Sequence, residues 1–305
     1  MKLKKIRNAL LVVLTLALVS ATAVAVTWAY TEDSFKNAEN TFGNEEISAK
    51  LTEQKWDGEK PTDGTPDLPE NFKLGKNLAT SYSPEMHIPK NPSITNISDP
   101  INEAANAEPS EYVAMTVRYY VTDDATGKTK YYFPGYAEFS AALATVQHYE
   151  NDTMTTGFNT NDWEEKAGSN GTVFYYKREA DNNGIVENWK TTATIFDEVL
   201  INGSTALNSP DYYNSGTNKY SYSGLTKVVE TTTDGVTTLN KTNDQTFTSD
   251  NYPEFHIELQ GYAVQAKTSA KNEEGVLVNT AIGLNNAKPE LDKLIDADPI
   301  TKALA

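Results

Sequence analysis

Apolar and polar residues alternate through most of the chain. Across residues 112–121, Val113, Met115, Val117, Tyr119 and Val121 share one side, and Thr116 and Arg118 the other. That two-residue period is the mark of a half-buried strand. Ile47, Ala49 and Leu51 alternate with Glu46, Ser48, Lys50 and Thr52 in the same way. Met86 and Ile88 open another extended stretch. Pro84, Pro89 and Pro92 should hold it at an edge, because proline donates no ladder hydrogen bond. Residues 130–133 follow a turn at Gly127 and predict a hairpin partner, and 172–177 and 192–201 predict further strands. In the last long strand Phe255, Ile257 and Leu259 sit at odd positions, but Tyr262, Val264 and Ala266 sit at even ones. Such a change of phase at Gly261 predicts a β-bulge.

Helical periodicity is scarce. Residues 136–148 contain Phe139, Ala141, Ala142, Leu143 and Val146 with neither Gly nor Pro, which predicts one helix, and 291–295 predict a second short one. Asp234-Gly235, between Val228-Val229-Glu230-Thr231 and Val236-Thr237-Thr238-Leu239, predicts a hairpin inside a polar insertion spanning 207–251. Residues 58–69 carry Pro61, Gly64, Pro66 and Pro69 and predict a loop, and 99–110 an acidic one. The expected fold is therefore mainly β: an antiparallel β-sandwich with one or two short helices and a β-hairpin insertion. Each sheet is expected to have one buried face and one wet face.

The first thirty residues break this pattern. Lys2, Lys4, Lys5 and Arg7 form a basic head before an apolar run over 9–26. Thr27 and Ala29 supply the small residues three before and just before a cut preceding Tyr30, the layout of a secretory signal. Ala23-Val24-Ala25 offers a second cut. The alternative is a retained anchor, since the run is long enough to span a bilayer, and any membrane contact is expected only through this uncleaved segment. The expected division is a signal peptide over 1–29, an N-terminal arm over 30–44, a β-sandwich over 45–269 and a C-terminal tail over 270–305.

Charge and composition narrow the function. The chain carries 26 basic and 42 acidic side chains, a net −16. Residues 1–29 hold four of the basic ones and no acidic one, so their removal gives −20. Such a surface repels phosphate backbones and argues against nucleic-acid binding. The chain has no cysteine, so an exported form relies on its hydrophobic core rather than on disulfides.

Catalytic patterns are sparse. The three histidines, His87, His148 and His256, lack the four-residue spacing that grips zinc on a helix. His87 and His256 are expected on exposed strand faces, the latter beside Glu258, and His148 at the end of the 136–148 helix, where it would complement the dipole. No nucleophile elbow, phosphate loop or EF-hand spacing occurs. The carboxylate pairs Asp123-Asp124 and Glu164-Glu165 point to opposite sides on a strand and are expected to be solvated. No catalytic residue, metal ligand or cofactor is therefore assigned. The tyrosine pairs Tyr119-Tyr120, Tyr131-Tyr132, Tyr175-Tyr176 and Tyr212-Tyr213 are each expected to place one ring in the core and one on the surface. There they pack, or present a sugar- or partner-binding platform.

Thr27-Trp28-Ala29-Tyr30-Thr31-Glu32-Asp33 resembles the end of signal peptides cut by the SipW-type signal peptidase. Thr41-Phe42-Gly43-Asn44 with Ile47-Ser48-Ala49-Lys50-Leu51 resembles the first mature strand of TasA-like and camelysin-like proteins, as does the pair of segments 194–199 and 255–266. The resemblance implies a jelly-roll-like sandwich in a bacterial protein, secreted to the biofilm matrix or held at the cell surface. It also implies a fibre subunit whose N-terminal strand, here the arm 30–44, completes the sheet of the next copy. The implied partners are a SipW-type signal peptidase during export, then further copies or related matrix subunits. The insertion at 207–251 departs from TasA. Camelysin-like relatives imply a secreted metalloendopeptidase as the alternative, and a monomeric surface-binding module using the 207–251 hairpin is a third.

Overall fold

The structure, a computed structural model, describes residues 25–27, 38–42, 45–98, 110–122, 126–178, 183–233, 236–271 and 277–305. Its strands begin with β1 (Ala25–Thr27), β2 (Ala38–Phe42), β3 (Glu45–Thr52), β4 (His87–Pro89), β5 (Ser93–Asn96), β6 (Glu111–Thr122) and β7 (Thr129–Tyr132). They continue with β8 (Ala144–Glu150), β9 (Thr153–Thr156), β10 (Trp163–Glu165), β11 (Val173–Tyr176), β12 (Ile185–Val186) and β13 (Glu198–Ile201). The last are β14 (Tyr213–Asn214), β15 (Lys219–Thr233), β16 (Val236–Ser249), β17 (Phe255–Gln265), β18 (Lys267–Lys271) and β19 (Leu277–Ala281). Among the described residues the helices are short, and the longest is Leu284–Ala297. The fold is mainly β with antiparallel sheets, as the alternation predicts.

The main sheet is built on β6. One side of β6 pairs with β17 along nearly its whole length, from Phe255↔Val121 to Gln265↔Glu111. The other side is shared in succession by β12, β11 and β7. β7 passes the sheet on to β15, which forms the long hairpin with β16. Two smaller sheets, β2-β3-β5 and β4-β13-β8-β9, pack on one face of this sheet. Leu51 and Ile94 from the first, Val146 and Val199 from the second, and Val113, Val117, Ile257 and Leu259 from the main sheet share one core. At Gly261 a Cβ would lie 3.2 Å from Ile94 Cδ1, so the missing side chain is what lets β5 approach β17 this closely.

The change of phase at Gly261 has another cause than the expected bulge. The register between β17 and β6 runs through it without a shift. Both faces of the strand are covered, so both parities can be apolar. Odd residues face the sandwich core, whereas Tyr262, Val264 and Ala266 face Ala287, Leu291 and Ile295 of the helix Leu284–Ala297. The expected wet face is thus a second interior. For the same reason Tyr119 and Tyr120, Tyr131 and Tyr132, and Tyr175 and Tyr176 are all buried, rather than one of each pair.

The helix expected over 136–148 stops at Ala142, and residues from Ala144 form β8 against β13. Its second half holds β-branched Thr145 and Val146, and pairing with β13 overrides weak helical propensity there. In the C-terminal tail the helix expected over 291–295 is found within Leu284–Ala297, and it and the helix Pro299–Leu304 close over the main sheet.

Candidate functional site: the β17 edge and the charges behind it

β17 has β6 on one side and β1 on the other. Among the described residues β1 pairs through Ala25↔Gly261, Val26↔Gln260 and Thr27↔Leu259, and Ala263 and Gln265 farther along β17 have partners as well. The expected processing residues Ala29 and Tyr30 lie outside the described residues. Of the arm 30–44, Ala38–Phe42 pairs with β3 in the same chain, from Ala38↔Ala49 to Phe42↔Glu45.

Behind this edge, on the face turned toward the C-terminal helices, lies a buried polar cluster. Its hub is Arg118 of β6, 5 % exposed. Register sets its partners, because Arg118 pairs with Glu258 and Thr116 with Gln260. The Arg118 Nη1 group donates to Glu258 Oε1 at 3.0 Å and to Gln260 Oε1 at 2.9 Å. Nη2 donates to Asp298 Oδ1, and to Thr301 Oγ1 at 2.7 Å. Asp298 also caps the final helix, accepting from Thr301 N at 2.7 Å, and its second oxygen accepts from Gln260 Nε2 at 3.2 Å. One aspartate thus starts a helix and fastens it to the sheet.

Lys130 completes the balance of charge, its Nζ 3.8 Å from Glu258 Oε2 and 4.9 Å over the Tyr120 ring. Burial opposes the charge on Arg118, but Glu258 and then Tyr262 and Asp298 outweigh it and hold the guanidinium above its ordinary pKa. For Lys130 burial wins over Glu258, and its pKa is lowered. Two cations face two carboxylates, so the cluster is neutral and serves as a fastening. A second buried pair, Lys90 with Glu53, lies on the opposite side of the core, with Lys90 Nζ 4.5 Å from the Trp56 ring.

The histidines are dispersed. His87 on β4 is outward and rests against Glu198. His148 is not at a helix end; it is buried in β8, its Nδ1 3.1 Å from Gly157 O. His256, expected on the surface, is 4 % exposed and stacks on Tyr120 with centroids 4.6 Å apart. Its face of β17 is covered, and burial, with Lys130 adding to it, lowers its pKa to about 3. Among the described residues no group of three or more His, Asp or Glu is placed to hold a metal ion. Glu164 accepts from Lys288 Nζ at 2.7 Å, and Glu165 from Gly171 N at 2.7 Å, so each supports a different element. Asp123 and Asp124 lie outside the described residues.

Sequence reasoning missed Arg118 and Asp298 as a pair. The available signals were an arginine inside an apolar strand and the run Asp298-Pro299-Ile300-Thr301, in which proline follows a capping aspartate. Among the described residues no helix is long and apolar enough to cross a membrane. The geometry assembles side chains that hold surfaces together, and the edge of β17 at Leu259–Gly261 is filled by β1. No family model matches the chain, and neither curated proteins nor solved structures show a match.

Proposed function

We propose that this protein is an exported, non-enzymatic structural subunit of a bacterial extracellular matrix or cell surface, a jelly-roll-like sandwich that assembles by strand addition at the β17 edge. The observation that carries the proposal is the position of β1. Residues 25–27 fill the edge beside Leu259–Gly261 and precede the expected cut at Ala29-Tyr30. A cut there removes the strand and leaves the N–H and C=O groups of β17 without it. An unpaired edge accepts an extended segment from another chain. The resemblance of Thr27–Asp33 to SipW-type signal ends and of the first strands to TasA-like proteins points the same way. In this reading the arm of one copy, beginning at Tyr30, takes the place of β1 in the next.

The test is electron microscopy of the exported protein, with its N-terminus sequenced. Filaments are expected from chains beginning at Tyr30. They should be suppressed by a tag left in front of Tyr30, and by Thr31→Pro with Ser34→Pro, which removes donors from the arm without touching the body. Filaments formed equally well by the tagged or proline-bearing arm would sink the proposal.

A further inference from the structure

At the base of the β15–β16 hairpin a cleft of about 460 Å³ opens between the hairpin and the loop after the helix Gly75–Ala79. Four tyrosines line it: Tyr82, Tyr213, Tyr220 and Tyr252. Three form one curved wall. Tyr213 and Tyr220 have ring centroids 4.8 Å apart at 38°, and Tyr220 and Tyr252 4.9 Å apart at 44°.

Their hydroxyls are engaged within the protein. Tyr213 Oη donates to Asn218 Oδ1 at 3.0 Å, and Tyr220 Oη to Asn208 Oδ1 at 2.9 Å. Tyr252 Oη accepts from Asn208 Nδ2 at 3.3 Å, and Tyr82 Oη donates to Pro253 O at 2.5 Å. The rings are therefore fixed before any ligand arrives, which lowers the ordering cost of binding. Apart from Ala79, the rest of the lining is polar: Thr80, Ser81, Asn218, Asp250, Asn251 and Glu254.

We propose that this cleft binds a segment of a neutral saccharide chain. Sugar rings have apolar faces that lie against aromatic rings, and equatorial hydroxyls that pair with amides and carboxylates. Asn218 and Asn251 offer both donors and acceptors, and Asp250 and Glu254 offer acceptors. Anionic ligands are disfavoured, because the lining holds two carboxylates and no Lys, Arg or His, and Lys219 beside it is paired with Asp250 at 3.1 Å. A compact organic cation would need rings facing one another around it, whereas the tyrosines lean along one wall. The cleft uses none of the β17 edge residues paired with β1, so this proposal stands apart from strand addition.

The experiment titrates the exported full-length protein, kept unassembled by an N-terminal tag, with cellohexaose, laminarihexaose and chitohexaose. Tyrosine fluorescence and saturation-transfer NMR are the readouts, and choline is a parallel probe. Saturable binding of at least one sugar is expected, with magnetisation transferred from aromatic protons to the sugar ring. Tyr213→Ala and Tyr252→Ala should each weaken binding about tenfold, the size of one lost ring contact. Tyr252→Phe, which keeps the ring, should stay close to the parent, and circular dichroism confirms that each variant is folded. No sugar binding at millimolar concentration, binding that survives both alanine variants, or selective binding of choline would each overturn the proposal.

Discussion

Replacing Arg118 by methionine should be among the most damaging single changes available in this protein. The substitution keeps an unbranched side chain of similar length but removes four donated hydrogen bonds, to Glu258, Gln260, Asp298 and Thr301. Glu258, fully buried, is left with Lys130 Nζ 3.8 Å away. Asp298 keeps only its helix cap and Gln260. Breaking a buried ion pair from one side costs about 3–5 kcal/mol, because the remaining charge is stranded in the interior. For a domain of this size each kcal/mol moves the melting temperature by about 2–4 °C, so a drop of roughly 6–20 °C is expected.

The assay is thermal unfolding followed by circular dichroism at neutral pH, on Arg118→Met, Glu258→Gln and the double variant. If the two side chains act as one fastening, the second change adds little once the first is made, with a coupling of about 1–3 kcal/mol. A single-variant loss below about 1 kcal/mol, or losses that simply add, would refute the view that this cluster holds the C-terminal helices to the sheet.

Three further outcomes follow from the packing and the buried titrating groups. Gly75→Ala should cost at least about 2 kcal/mol in denaturant unfolding, because its Cβ would sit 1.9 Å from Pro89 O and 2.8 Å from Trp56 Cε3. Glu111 is fully buried, accepts from the Ser98 hydroxyl at 2.6 Å, and is pushed by burial from 4.5 up to about 8. A raised carboxyl pKa favours the folded state below 4.5 and loses that advantage as pH climbs to 8, so Glu111→Gln should raise the melting temperature at pH 8 relative to pH 4. His256 runs the other way: its pKa falls from 6.5 to about 3, its stabilising contribution is complete above 6.5 and is lost as pH falls toward 3, and His256→Phe should flatten the melting curve over that window.

The legible part of the fold is the part written in alternation. Val113 to Val121 on β6, and the paired runs around Asp234-Gly235, read correctly because a strand with a packed face repeats every two residues. What alternation cannot reveal is what covers the other face. Arg118, Glu258 and Gln260 look like solvent-facing residues, and their burial depends on a residue 38 positions beyond Gln260 and 180 beyond Arg118, Asp298 at the start of the last helix. The second interior was signalled weakly at both ends. Tyr262, Val264 and Ala266 carried apolar character on the supposedly wet side, and Ala287, Leu291 and Ile295 recur at the four-residue spacing of a helix face. Read together they form the two halves of one contact. Single-turn helices such as Gln54–Asp57 are too short to leave a periodic trace.

The burial of both faces of β17 bears directly on how an edge there could sustain assembly. With both rows of side chains committed to the sandwich core and the C-terminal helices, an incoming segment gains mainly main-chain hydrogen bonds, each contributing about 0.5–1.5 kcal/mol net. Bringing two chains together costs about 4–15 kcal/mol before any contact is counted. The three described residues of β1 meet only the smaller cost of closing a loop when they belong to the same chain. The same three residues from a second chain do not offset the cost of association. A donor must therefore gain more than a three-residue ladder, by burying its own side chains against the neighbouring β3. Of the polar arm, Tyr30 and Phe35 precede β2 and are the aromatic residues offered for that purpose. By this arithmetic the aromatic residues of the arm, more than its ladder alone, decide whether filaments form.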